Sequence, residues 1–226
     1  MMQYAIPVIT IDGPSGVGKG TLSQLLADYF DWHLLDSGVI YRVLAFQALK
    51  LHISLDEADV LSKLALALPL IFITSSRKTK IMLANDDVTD AIRTEEVGNA
   101  ASKVAILPKV REALLQRQRD FCQPPGLIAD GRDMGSVVFP EALIKIFLDA
   151  NLKSRAERRM KQLQKKGIYV KFGEIFQEIA ERDTRDRNRP ISPLKPAADA
   201  LVIDSSSLSI SDVFEKALTY IKQKLN

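Results

Sequence analysis

Lys19 sits in the run Gly13-Pro-Ser-Gly-Val-Gly-Lys19-Gly-Thr21, directly after the apolar stretch Val8-Ile-Thr-Ile-Asp12. Glycines at this spacing let consecutive backbone N–H groups curl around phosphate oxygens. A lysine there adds a mobile positive charge, and a helix starting at the end of the turn adds its dipole. The chemistry is that of a nucleoside triphosphate held by its phosphates. The candidate donor-binding residues are therefore Gly13, Pro14, Ser15, Gly16, Val17, Gly18, Lys19, Gly20 and Thr21. The alternative is a structural glycine-rich turn. Loops of this type usually carry Ser or Thr right after the lysine, where the hydroxyl meets Mg²⁺. Here Gly20 stands in that place and Thr21 follows, so metal ligation by Thr21 stays open.

Further groups could face the same chemistry. Asp130-Gly-Arg132-Asp133 follows an apolar run, as an aspartate that helps position Mg²⁺ would; the other reading is a solvated turn. Asp36-Ser37-Gly38 leads into Tyr41-Arg42, and a substrate phosphate near this helix start could meet the backbone and Arg42. An ordinary helix cap with a surface arginine fits that stretch equally well. Between Lys153 and Arg189 there are twelve Lys or Arg and six Asp or Glu, a net +6, which leaves the rest of the chain at −3. Arg155, Arg158 and Arg159 share one predicted helix. Arg182, Arg185, Arg187 and Arg189 follow, interleaved with Asp183 and Asp186. Charged runs are ordinarily solvated faces, yet the planar guanidinium fork suits bidentate contact with phosphate. Lys165-Lys166-Gly167 reads as a bend between two arginine-lined helices, an arrangement that suits a closing lid.

The parts favour transfer over switching. A switch GTPase carries Asn-Lys-x-Asp and Asp-x-x-Gly motifs, and neither occurs. No general base stands out, and a phosphate monoester acceptor needs none, because its oxygen is already largely ionised near neutral pH with a pKa of about 6. Repulsion between two anions is then the main difficulty, which arginines, Lys19 and Mg²⁺ answer by position and charge. His33 and His52 lack the partners of a zinc site. Cys122, the single cysteine, excludes an internal disulfide and reads as a packing residue.

These groups need a frame. Val8–Asp12, His33–Leu35, Leu127–Asp130, Lys145–Leu148 and Ala200–Ile203 read as buried strands separated by helical pattern. That alternation predicts an α/β fold with a doubly wound, five-stranded parallel sheet. Its ligand edge lies outside the strands' carboxyl ends, where Asp12, Asp36 and Asp130 fall. Helices are predicted over Gly20–Phe30, Val39–Leu51, Lys109–Phe121 behind Pro108, and Val213–Leu225 capped by Ser211-Asp212. Pro69–Thr74, Ser75-Ser-Arg-Lys78 and Thr79–Ala84 read as a β-hairpin, with Val88-Thr89 as a further short strand. The expected organisation is one domain: a core of residues 1–62, 99–152 and 190–226, an antiparallel insert over about 63–98, and a helical lid over about 153–189.

Composition sets outer bounds. The chain has 226 residues, 46% hydrophobic and 26% charged, with a net charge of +3. So small a charge does not argue for nucleic acid, and the local excess of arginine within a nearly neutral chain suggests a small anionic ligand more than a long polyanion. No apolar run approaches the ~18–20 residues that span a bilayer, and no leader pattern opens the chain. A cytoplasmic monomer without membrane attachment is the expectation.

Ile11–Thr21, Leu35-Asp-Ser-Gly-Val-Ile-Tyr-Arg42, Ile92-Arg-Thr-Glu-Glu-Val97, Asp130-Gly-Arg-Asp-Met-Gly135 and Arg182-Asp-Thr-Arg-Asp-Arg-Asn-Arg189 together resemble the bacterial cytidylate kinases, over essentially the whole chain. The resemblance implies ATP- and Mg²⁺-dependent phosphorylation of CMP and dCMP to the diphosphates. The alternatives are another nucleoside monophosphate kinase, acting on UMP, AMP or dTMP, or a nucleotide-dependent switch or binding protein. Gly20 is itself a mark of monophosphate kinases. Carried over by position, Arg42 and Arg132 match acceptor-phosphate arginines, and Ser37, Ser102, Arg111 and Asp133 match residues around cytosine. Arg182 and Asp186 match pentose contacts, Arg189 a phosphate contact, and Arg159 a contact to ATP. Lys19, Arg132 and Arg189 are the residues expected to act on the transferring phosphoryl group. Mg²⁺ is expected to be held mainly by phosphates and water, with Asp130 as the candidate ligand. An aspartate and an arginine together suit the cytosine edge, which offers an amino donor beside N3 and O2 acceptors.

Overall fold

The structure is a computed structural model that describes residues 6–75, 78–165 and 167–225. In chain order its strands and helices are β1 (Val8–Asp12), α1 (Lys19–Phe30), β2 (His33–Asp36), α2 (Ser37–Lys50), α3 (Ala58–Leu66), β3 (Leu70–Ser75), β4 (Lys78–Leu83) and β5 (Asp86–Asp87). There follow α4 (Glu95–Val104), α5 (Pro108–Arg119), β6 (Leu127–Gly131), β7 (Ile144–Asp149), α6 (Leu152–Lys165), α7 (Phe172–Arg187), β8 (Leu201–Asp204) and α8 (Ile210–Leu225).

The parallel sheet runs β2-β6-β1-β7-β8. β1 lies at its centre, with Asp12 opposite Gly131 on one side and Phe147 on the other. A strand hydrogen-bonded on both edges and covered on both faces has no wet side, and Thr10 and Asp12 are accordingly buried along with Ile9 and Ile11. Its C-terminal end releases the phosphate loop directly into α1. Gly13, Gly16 and Gly18 have φ of 149°, 80° and 101°. A Cβ on Gly13 would lie 2.0 Å from the Leu148 carbonyl oxygen, so the loop passes too close to β7 for any side chain.

The described chain divides into two compact units. One comprises the described parts of Met1–Leu35 and Phe121–Asn226, the other Asp36–Asp120. The first unit's core gathers Ile9, Ile11, Leu22, Leu26, Ile128, Ile146, Leu148 and Ile221 between the sheet, α1 and α8. Ala156, Leu163, Ile175 and Ile179 form a separate small core between α6 and α7. In the second unit α3 packs on α5 and α2 on α4. Ile40, Leu44, Leu61, Ile92 and Leu114 are fully buried there.

The antiparallel sheet β3-β4-β5 is the expected hairpin, with Leu70 opposite Leu83. Ser76 and Arg77 of its turn, and Lys166 of the bend, lie outside the described residues. Three local readings differ. The short third strand falls at Asp86–Asp87 and not Val88-Thr89, because the Thr89 hydroxyl instead accepts from the Ile81 N–H at 2.9 Å and donates to Asp87 at 2.6 Å. The last helix is capped by Ser209 and not Ser211: the Asp212 N–H donates to Ser209 Oγ, and the Asp212 carboxylate accepts from the Ser209 N–H and hydroxyl, a reciprocal capping box. Met134–Val138, which carries no helical signal in the sequence, forms a π-helical turn.

Candidate active site

In the first unit the phosphate loop meets α1 with Gly18 at the N-cap, where no side chain caps the helix. Lys19 is buried, and its Nζ donates to the Pro14 carbonyl at 2.9 Å across the loop. Asp130, at the end of β6, is buried too, with Oδ2 3.7 Å from where a Cβ on Gly20 would stand. A carboxylate beside the helix start thus faces the one position where this loop departs from the usual sequence.

Asp12 ends β1 with its side chain 5% exposed. Its two carboxylate oxygens accept from the N–H groups of Met134 and Gly135, each at 2.8 Å. Burial pushes this carboxyl up to about 6, helped by the Asp133 charge; the two N–H groups and Lys19 pull it partly back. Asp12 fixes the backbone that follows Asp133, whose own carbonyl accepts from the Val137 and Val138 N–H groups.

Asp186, on α7, is 1% exposed and binds two arginines. Arg132 Nε donates to Oδ2 at 3.0 Å, and Arg189 Nη2 donates to Oδ1. Burial alone would raise the Asp186 carboxyl, but Arg132, Arg189 and Arg182 outweigh it and hold it below the ordinary range. Arg182 reaches the loop at Ser15 Oγ, 3.4 Å away. Lys19, Asp130, Arg132, Asp133, Arg182, Asp186 and Arg189 therefore all belong to this unit. Arg159 lies on α6, 3.5 Å from Gln162 Oε1, and burial pulls its guanidinium down while Glu178 opposes that.

Arg155 and Arg158 have a different occupation. Arg155 is 3% exposed and grips the Asp183 carboxylate with both terminal nitrogens, at 2.9 and 2.5 Å. Arg158 donates to Ser205 Oγ at 3.0 Å and to the Ser205 carbonyl. Both also donate to carbonyls of the phosphate loop. Neither these contacts nor the Asp12 anchor follows from the sequence, because each partner lies far away along the chain.

In the second unit, Asp36 caps α2 by accepting from the Val39 N–H at 3.2 Å. Ser37, at the first turn of that helix, donates to Gln118 Oε1 at 2.7 Å. Arg42, one turn on, donates to the Ile92 and Thr94 carbonyls at 2.8 and 3.2 Å. Gly98 makes room for it: a Cβ there would stand 2.8 Å from Arg42 Nη2. Ser102 on α4 is 3% exposed, and its hydroxyl has no hydrogen-bond partner among the described residues. Arg111 on α5 donates to the Ala105 carbonyl at 3.3 Å, with its guanidinium 5.9 Å from the Tyr41 ring centroid. The unit thus carries Ser37 and Arg42 on α2, Ser102 on α4 and Arg111 on α5. A buried hydroxyl without a partner is a group that a ligand can satisfy.

The remaining candidates are bland. His33 bonds the Pro124 carbonyl, and burial pushes the Cys122 thiol up. No cluster of three or more His, Cys, Asp or Glu able to hold a metal occurs among the described residues. None of their helices is long and apolar enough to cross a membrane.

Known proteins bear on this arrangement. The family model for cytidylate kinase matches residues 9–223. A cytidylate kinase from Salmonella arizonae is 60% identical over 224 residues, covering 99% of each chain. One from Aeromonas hydrophila is 59% identical over 99% of this chain and 97% of its own. The solved structure of TT1252 from Thermus thermophilus is 17% identical with a TM-score of 0.47, covering 98% of this chain and 99% of its own. A match that starts within β1 and ends within α8 takes in both units, and the chain accordingly belongs to the cytidylate kinase family.

Proposed function

We infer that the chain transfers the γ-phosphoryl group of ATP to CMP or dCMP, giving ADP and CDP or dCDP. The observation that carries this reading is the near-full-length identity of about 60% to curated cytidylate kinases, with the phosphate loop intact. In the reaction an oxygen of the acceptor's phosphate forms a bond to Pγ while the bond from Pγ to the β,γ-bridging oxygen breaks, and ADP leaves with that electron pair. The acceptor oxygen is ionised near neutral pH, so no side chain has to remove a proton.

The loop N–H groups and Lys19 hold the donor phosphates, with Arg159 as a further contact to ATP. Arg132 and Arg189 act on the charge of the transferring group, and Arg42 with Arg132 on the acceptor phosphate. The joint salt bridge to Asp186 supports those roles for Arg132 and Arg189, because it fixes both guanidiniums before any phosphate arrives. Asp133 accepts from the cytosine amino group and Arg111 donates to its N3 and O2, with Ser37 and Ser102 beside the base. Arg182 and Asp186 serve the pentose. Mg²⁺ supplies charge neutralisation across the phosphates. Asp130, beside the start of α1, fits it as a single carboxylate, with the remaining ligands drawn from phosphate and water. We read the enzyme as a cytoplasmic monomer with an antiparallel insert and a closing helical lid, and without nucleic-acid partners.

A coupled assay of ADP release across CMP, dCMP, UMP, AMP and dTMP tests the substrate. Turnover should be highest with CMP and dCMP. Equal or better turnover of AMP or dTMP would overturn the cytosine assignment.

A further inference from the structure

The backbone carbonyls of the phosphate loop are held from outside. Arg155 Nη1 donates to the Ser15 carbonyl at 3.2 Å, and its Nε donates to the Ala150 carbonyl at 3.0 Å. The same guanidinium is locked bidentately on Asp183 of α7. Two residues along the loop, the Val17 carbonyl accepts from Ser205 Oγ at 3.1 Å and from Arg158 Nη1 at 3.3 Å. Arg155 and Ser205 are 3% and 2% exposed, so neither presents itself to a ligand.

We propose that Arg155 and Ser205, with Arg158, are positioning residues that set the peptide planes of the phosphate loop. In a trans peptide the C=O of one residue and the N–H of the next point in opposite directions. Holding the Ser15 carbonyl toward Arg155 turns the Gly16 N–H away from it. Holding the Val17 carbonyl toward Ser205 and Arg158 does the same for the Gly18 N–H. Gly16 and Gly18 have positive φ, and glycine alone moves freely between that region and its mirror. Left without an outer anchor, those two peptides would rotate and the donor cradle would have to be assembled at binding. With the anchor its dipoles are set beforehand, which is what electrostatic recognition of phosphate requires. Three elements meet at Arg155: the end of β7 through Ala150, the loop through Ser15, and α7 through Asp183. The arginines of α6 thereby divide their work, with Arg155 and Arg158 binding protein where the sequence suggests phosphate.

The proposal rests on the loop being the ATP site, and the test separates the two ideas. Binding of inorganic tripolyphosphate and of ATP is measured by calorimetry for the wild type, Arg155→Lys, Ser205→Ala and Lys19→Ala, alongside KM for ATP and CMP. A lysine at 155 keeps the charge but cannot reach Ser15, Ala150 and Asp183 together. Tripolyphosphate and ATP affinity should both fall about tenfold in Arg155→Lys and about threefold in Ser205→Ala. KM for CMP and kcat at saturating ATP should stay within about twofold. Unchanged tripolyphosphate affinity in both variants, with Lys19→Ala strongly weakened, would overturn the positioning role and leave the loop's function standing. Tripolyphosphate affinity unaffected even in Lys19→Ala would overturn both. A parallel rise of KM for ATP and CMP would mark general loosening and also refute the proposal. If Arg155→Lys does not fold, Ser205→Ala carries the same readouts.

Discussion

Asp12→Asn should remove a pH dependence of folding that is specific to this carboxyl. In the native chain burial raises Asp12 to about 6, against the ordinary value of 3.8 expected for the unfolded chain. Between those values the native state holds a proton that the unfolded state has released. Stability from this group therefore declines as pH rises through the window. At roughly 1.4 kcal/mol per pH unit the decline amounts to about 2 kcal/mol between pH 4 and pH 7. Asparagine does not titrate, so the stability of the wild type relative to the variant should fall by that amount over the same range. The variant also carries a constant offset of about 1–3 kcal/mol, because its amide nitrogen faces either the Met134 or the Gly135 N–H, donor against donor. Urea unfolding followed by the fluorescence of the single tryptophan, Trp32, which packs on the first unit's core, reads both quantities without nucleotide or divalent cation. Stability curves that run parallel from pH 4 to pH 7 would refute the reasoning, since the carboxyl would then titrate alike in both states.

Three other perturbations have defined outcomes. Asp133→Ala should raise KM for CMP well above any change in KM for ATP in steady-state assays, and the opposite pattern would move Asp133 to the donor side. Asp186→Ala leaves the Arg132 and Arg189 guanidiniums without their shared carboxylate and should cost about 3–5 kcal/mol in chemical denaturation; a loss below 1 kcal/mol would contradict the structural weight given to that triad. Gly98→Ala inserts a methyl 2.8 Å from Arg42 Nη2 and should displace that guanidinium while sparing the fold. KM for CMP should rise several-fold at an unchanged melting temperature, and an unaltered KM would remove Arg42 from acceptor binding.

What the sequence reveals here follows the range of the interactions. The strand, loop and helix around Lys19 are legible because glycine spacing, an apolar run and an amphipathic run are all local. The five strands of the parallel sheet are legible for the same reason, to within a residue or two at each end. Arg111 carries no local signal, since a basic residue on a helix resembles any solvated one; burial beside Tyr41 sets it apart. Asp12 reads as the last residue of a strand, and its role depends on two N–H groups beyond β6. The π-helical turn at Met134–Val138 follows no propensity in Met-Gly-Ser-Val-Val; its first two N–H groups go to Asp12. Arg155 and Arg158 look like ligands for an anion when read along the helix. Their partners prove to be main-chain oxygens and Asp183, which no spacing along α6 encodes.

The small core between α6 and α7 has a consequence for how the molecule breathes. Ala156, Leu163, Ile175 and Ile179 are separate from the residues that close the parallel sheet. Opening that core exposes far less apolar surface than opening the sheet, so its local unfolding free energy lies well below the global one. The helical pair should therefore open locally more readily than β1 does. The Arg155–Asp183 bridge ties α6 to α7 within that pair, while the donation from Arg155 to the Ser15 carbonyl and from Arg132 to Asp186 joins the pair to the phosphate loop and the end of β6. Amide protons in α7 should exchange with solvent long before those of Ile9 and Ile11.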